Sequence, residues 1–160
     1  MGRRAEVLAD RIEQGAAALA KLAEGLSDAE WKTRVLPDGR TVGVLVDHVA
    51  NMYPIEVQLA QILASGKPIE GVTWAGVADM NAKHAQERAT VTPPEAIDRL
   101  RTASKTAADA IRKFSDEELD RAAAVSLNAD APLTAQFFIE DHALRHSFHH
   151  LGKIRAQLGK

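Results

Sequence analysis

Apolar residues return every three or four positions along most of this chain, and short polar stretches bearing Gly, Pro, Ser or Thr separate the runs. That period is the signature of amphipathic helices. A first helix is expected over 4–24, with Leu8, Ile12, Gly15, Leu19 and Leu22 on one face and Gly25 suited to its C-terminal cap. Leu26 continues the same stripe. Ser27 followed by Glu30 is a capping-box pattern, so a short helical turn carrying Trp31 should come next. Leu36-Pro-Asp-Gly-Arg40 reads as a turn: Pro presets φ, Asp bonds back to the backbone and Gly permits positive φ.

Thr41 then caps a second long helix over 42–64. At about 100° per residue, Val44, Leu45, Met52, Ile55, Leu59, Ile62 and Leu63 fall within about 60° of one direction. His48 sits at the centre of that face. Pro54 removes a backbone donor and crowds the carbonyl of Ala50, so a kink is expected just past His48. Ser65 to Pro68 closes the helix. A shorter helix over 74–89 carries Val77 and Met80 on one side but is otherwise polar, so it should lie against the fold rather than within it.

Thr92-Pro-Pro-Glu95 opens a third long helix, with an N-cap, prolines in the first turn and an acid at the positive end of the dipole. Its stripe is Ile97, Leu100, Ser104, Ala107, Ile111 and Phe114. Ser115 and Glu118 form a second capping box. The small residues over 121–132 read as a loop, the alternative being a brief extended piece over 122–127, and a last helix is expected over 133–158. The pattern is all-α: four long helices with an extra short one between the second and third, in a single domain over 1–160.

Composition supports that reading. Aromatics are only 4% of the chain, so the core must be built mostly from Ala, Leu, Val and Ile, which favours closely packed helices. The formal net charge is -2, without the basic surplus expected of a nucleic-acid binder. Cysteine is absent, which excludes disulfides, thiolate ligands and cysteine nucleophiles. Neither a signal-type N-terminus nor a run of about eighteen uncharged residues is visible, so a cytoplasmic protein with no membrane partner is expected.

Chemistry enters with the histidines. Four of the six fall between His142 and His150. On the last helix, Ile139, Ala143, Leu144, Leu151, Ile154 and Leu158 define the buried stripe, and His146 and His150 lie on one edge of it. His142 falls about 40° beyond that edge and His149 points about 60° away, toward solvent. Two imidazoles at i and i+4 can reach one divalent metal. His48 has two readings: a buried histidine bonded to a carbonyl or carboxylate, or a third ligand brought by a facing helix. His84 is read as solvent-facing, the alternative being that its helix folds over the pocket.

The segment His146-Ser-Phe-His-His-Leu-Gly-Lys-Ile154 resembles the C-terminal motif of the DinB/YfiT-like superfamily, and Pro37 to His48 is similar to that family's approach to its first histidine. Leu26 to Trp31 sits where the family carries a similar turn. The resemblance covers nearly the whole chain. It implies a four-helix bundle of up-down-down-up topology, a homodimer, and His48, His146 and His150 as ligands of a divalent metal, zinc or nickel. Members include thiol-dependent S-transferases and a mycothiol-dependent maleylpyruvate isomerase. Lys153 departs from the family, which commonly has glutamine there; it has two readings, a lysine near the metal that assists an anionic ligand or one that faces the surface.

Three imidazoles leave a divalent cation open to water or an exogenous ligand. With no cysteine in the chain, thiol chemistry needs a low-molecular-weight thiol as cofactor. A metal-dependent thiol transferase or isomerase acting on a small molecule is the leading expectation, with Asp47, Asn51, Glu140 and Lys153 as groups around the metal or substrate. The alternatives are a hydrolase using bound hydroxide, with Glu56 or Glu140 as base, and a non-enzymatic binder of metal or small ligand.

Overall fold

The computed structural model describes residues 2–160. In chain order, α1 (Arg3–Glu24) is followed by the short α2 (Asp28–Trp31), the long α3 (Val42–Ala64), α4 (Trp74–Glu87), α5 (Pro93–Ile111) and the short α6 (Asp116–Asp120). Two short strands, β1 (Ala122–Val125) and β2 (Ala131–Thr134), then precede the C-terminal helix. That helix is α7 (Ala135–Ile139), a π-helical turn (Glu140–Leu144) and α8 (Arg145–Leu158).

Local chemistry sets the helix starts. The hydroxyls of Ser27, Thr92 and Ser115 accept from the backbone N–H of Glu30, Glu95 and Glu118, and each glutamate accepts from its cap residue in return. Thr41, Thr73 and Thr134 cap α3, α4 and α7 by accepting from Val44, Gly76 and Phe137. Each such cap contributes about 1 kcal/mol.

Polar pairs between helices give the topology. Arg112, just past α5, binds Glu6, Asp10 and Glu13 near the start of α1, so α1 and α5 are antiparallel. Asp47 near the start of α3 binds Arg99 in the first half of α5, and Arg121 donates to the carbonyl of Ala64 at the other end, so α3 and α5 are parallel. Arg4 and Arg11 of α1 meet Gln136 and Glu140 of the C-terminal helix in the same order, a parallel pair. The end of α8 returns to the start of α3, where Gln157 accepts from the backbone of Leu36. The bundle is therefore up-down-down-up.

A parallel α3 and α5 require a connection that travels back along the bundle, and the segment carrying α4 does this. It is tied down on the way: Ile69 bridges in parallel to Val125 of β1. The 121–132 stretch, expected as loop, is instead a hairpin in which β1 pairs antiparallel with β2. Pairing with Ile69 gives its small residues a partner that local sequence does not reveal. The last helix accordingly begins at Ala135 rather than Leu133.

The stripes of α1 and α5 face the core as expected: Leu8, Ile12, Leu19, Leu100 and Ile111 are fully buried, together with Leu45, Leu63, Phe138 and Ile154 from α3 and the C-terminal helix. Truncating one of these to Ala would cost about 2–5 kcal/mol. α3 is different. Every residue from Val42 to Ala50 is buried, Asp47 and His48 included. Further along, Tyr53, Val57, Ala60 and Leu63 enter the core, whereas Met52, Ile55 and Leu59 line a cavity alongside His48. Much of the apolar face centred on His48 is thus the wall of a pocket.

Candidate metal centre

His48 comes from α3, and His146 and His150 from successive turns of α8. Their rings converge, with centroids 4.8 Å (His48–His146), 5.3 Å (His48–His150) and 4.9 Å (His146–His150) apart. One ligating nitrogen from each lies within 4.8 Å of the others, and among the described residues no further His, Cys, Asp or Glu donor joins the group. Nε2 of His48 stands 3.0 Å from Nε2 of His146. Nitrogens sharing a tetrahedral zinc at about 2.0–2.1 Å lie about 3.3 Å apart, so this pair is near the spacing a cation needs.

Glu56, two turns after His48 on α3, fixes the orientation of His146. Its Oε1 lies 2.8 Å from His146 Nδ1, and since a carboxylate only accepts, the proton sits on Nδ1. Nε2 is then the unprotonated nitrogen, and it faces Nε2 of His48 as an acceptor. This is the carboxylate–histidine arrangement that accompanies metal-bound imidazoles. Nδ1 of His48 and Nδ1 of His150 are both buried without a partner.

The electrostatics keep His48 and His150 neutral. Burial, reinforced by His146, Arg40, His150 and His84, holds His48 far below the ordinary histidine value. Burial again, with His146, His149 and Arg40, pushes His150 down to about 3. Neutral imidazoles offer lone pairs to a cation without first having to lose a proton. The donor set, three imidazole nitrogens and no thiolate, suits zinc, nickel, copper or iron.

The cluster lies on the wall of a cavity of about 600 Å³ between α3, α4 and the C-terminal helix. Met52, Ile55, Leu59 and Phe138 supply apolar lining, and Arg40, Asp141, Arg145 and Lys153 polar lining. His149 is exposed at the cavity's edge, and His142, inside the π-helical turn, lines the cavity while stacked on Phe138 at 4.3 Å.

The other singled-out residues divide. Lys153 lines the cavity. Asn51 is half-buried and outside the lining, and Glu140 pairs with Arg11 of α1 at 3.0 Å, also outside it. Asp47 is fully buried behind His48, where its carboxylate accepts from His84 Nε2 at 2.7 Å and from Arg88 and Arg99. His84, expected to face solvent, is therefore buried: its helix folds over the bundle because a desolvated carboxylate on α3 demands donors. Sequence patterning also missed Arg40 and Asp38 as cavity residues and Glu56 as the partner of His146. For Glu56 a signal existed, since it shares a helix and broadly a side with His48.

The fold is an up-down-down-up bundle in which three histidines from two helices face a side cavity and could hold a metal ion. Residues 11–154 match the DinB superfamily, and the chain belongs to it. Its structure is similar to that of YfiT from Bacillus subtilis, a probable metal-dependent hydrolase with an unusual four-helix bundle topology: TM-score 0.76 at 16% identity, over 99% of this chain and 90% of that one. It is also similar to the colibactin self-resistance protein ClbS, solved in complex with a dsDNA, with TM-score 0.73 at 16% identity over 98% and 96% of the two chains. The mycothiol-dependent maleylpyruvate isomerase gives TM-score 0.71 at 14% identity, over 94% of this chain but 60% of that enzyme, so the chain spans about three-fifths of its length. At these identities the likeness is one of fold. No curated protein matches the sequence.

Proposed function

We propose that the protein is a divalent-metal-dependent enzyme of small-molecule thiol chemistry, a transferase or isomerase, with His48, His146 and His150 holding zinc or nickel. The observation that carries the reading is the convergence of three imidazoles, one of them oriented by a buried carboxylate, on the wall of a cavity of about 600 Å³. Three protein ligands leave a coordination position open, and such a cation lowers the pKa of a bound thiol or water. Glu56 holds the Nδ1 proton of His146 and so keeps Nε2 available. Met52, Ile55, Leu59 and Phe138 exclude water from one side of the cavity and leave room for a thiol beside an electrophile. With no cysteine in the chain, the thiol is a diffusible one.

A hydrolase is the second reading. Oε2 of Glu56 is buried without a partner in the cavity lining, where it could take a proton from water. Glu140 is a poorer base, because it is paired with Arg11 outside the lining.

Elemental analysis of untagged protein, followed by a screen of thiol–electrophile pairs on the metal-loaded form, tests both. Stoichiometric zinc or nickel and thiol-dependent turnover are expected. Turnover indifferent to added thiol would move the assignment to the hydrolase. Retained metal with no turnover in either screen would make the protein a binder, and no metal uptake after incubation with zinc or nickel would end the metal reading.

A further inference from the structure

We propose that an anion subsite built on Arg40 and Lys153 adjoins the three histidines, and that a reactant bound in the cavity presents a carboxylate to it. The inference rests on reading the cavity as a substrate site.

Three cations line the cavity, and their commitments differ. Arg145 is turned back on its own helix, toward the carbonyl and carboxylate of Asp141 at 3.0 and 3.4 Å. Arg40 uses two of its nitrogens on Asp38: Nε and Nη2 donate at 2.8 and 2.7 Å. This forked contact fixes the plane of the guanidinium. It leaves Nη1 buried and without an acceptor. A buried charged donor is costly to leave unsatisfied, so an acceptor supplied by a ligand would be strongly favoured there. Arg40 lines the same cavity as His48, His146 and His150.

Lys153 is one turn beyond His150 on α8, lines the same cavity, and makes no ion pair among the described residues. Every acid of the lining is already engaged: Asp38 by Arg40, Asp141 by Arg145, and Glu56 by His146. What remains unanswered is the Nη1 group of Arg40, held in place by the fork, the mobile ammonium of Lys153 and the Nη groups of the exposed Arg145. The planar guanidinium of Arg40 with the ammonium of Lys153 beside it matches the two oxygens of a carboxylate. The carboxylate belongs either to the electrophile or to the thiol.

Calorimetric titration with succinate, on metal-free and zinc-loaded protein, tests the subsite. Wild type should bind succinate at least about tenfold more tightly than the uncharged succinamide, and Arg40→Met should weaken succinate binding by about tenfold or more, the equivalent of one charge-assisted hydrogen bond. Lys153→Ala should weaken it by about threefold, as expected of an exposed charge. Arg40→Lys keeps the charge but not the fork and should fall between wild type and Arg40→Met; with Lys153→Ala it decides the matter if Arg40→Met melts early. Succinate binding unchanged in these variants, or equalled by succinamide, overturns the subsite. Competition then identifies the reactant: displacement of succinate by 3-mercaptopropionate but not by 2-mercaptoethanol gives the carboxylate to the thiol, and co-binding with both gives it to the electrophile. Either supports the subsite. Arg40-dependent succinate binding to protein that takes up no metal would leave the subsite standing and overturn only the metal reading.

Discussion

Glu56 and His146 meet across the contact between α3 and α8, with Oε1 2.8 Å from Nδ1. Glu56 is nearly fully buried, so the bond is not screened by bulk water. It sets the tautomer of His146 and turns its unprotonated nitrogen toward His48. Glu56→Gln keeps the shape but removes the charge that strengthens the donor, and Glu56→Ala removes the acceptor. Zinc affinity, measured by competition with a chromophoric chelator, should fall by about 10–100-fold in Glu56→Ala and by less in Glu56→Gln. Unchanged affinity in both would strip Glu56 of its orienting role.

Adjacent residues His149 and His150 should behave as opposites. His150 is 6% exposed and faces His48, whereas His149 is exposed. His150→Ala is expected to lose stoichiometric metal and His149→Ala to retain it, by elemental analysis of dialysed protein. The reverse result would mean that the ligand face of α8 is rotated by about 100°, one residue's turn.

Asp47 holds three elements together through His84 on α4, Arg88 just past it and Arg99 on α5. Removing one partner of a buried ion pair costs about 3–5 kcal/mol, and because Arg88 and Arg99 are partly exposed and can rehydrate, Asp47→Ala should cost about 2–3 kcal/mol in urea unfolding. Burial pushes the Asp47 carboxyl up, but hydrogen bonds from His84 and Arg88 and the charge of Arg99 outweigh it and hold the pKa at about 2, below the ordinary 3.8. The unfolded chain therefore binds the proton first as pH falls. The stabilisation is complete above the unfolded value and is lost as pH falls through the folded one. A cation held at the neighbouring His48, as proposed, would push in the same direction. Stability should drop less steeply in Asp47→Asn than in wild type between about pH 4 and pH 2.

What the chain revealed before folding follows from the range of each interaction. α1 and α5 were legible because one stripe and one cap suffice to define each, and the capping boxes at Ser27, Thr92 and Ser115 act within three residues. His146 and His150 kept their expected phase because both lie beyond the π-helical turn Glu140–Leu144, in regular helix. His142 lies inside that turn, where a count of about 100° per residue no longer applies. His84 was opaque for a different reason: its helix has no strong apolar face, and the residue that buries it, Asp47, is 37 positions away. The β1–β2 hairpin likewise depends on Ile69, a pairing that no local pattern announces.

Gly15 offers a test of how closely the proposed ligand helix is positioned by its neighbour. It lies mid-way along α1, where alanine would ordinarily gain about 1 kcal/mol in helix propensity. A Cβ there would fall 2.2 Å from Ser147 Oγ and 2.8 Å from the Phe148 ring. Phe148 is partly exposed and can swing aside, but Ser147 is fully buried and follows His146 directly. Relief must come from a shift of α8, and overpacking of this kind costs about 1–3 kcal/mol, enough to outweigh the propensity gain. Gly15→Ala should therefore lower the melting temperature and weaken zinc binding together. Adding Ser147→Ala removes the atom in closest conflict and should restore part of both losses, a coupling readable in a double-mutant cycle. A Gly15→Ala variant that melts higher than wild type with unchanged zinc affinity would show that α8 is not held against α1 in this way.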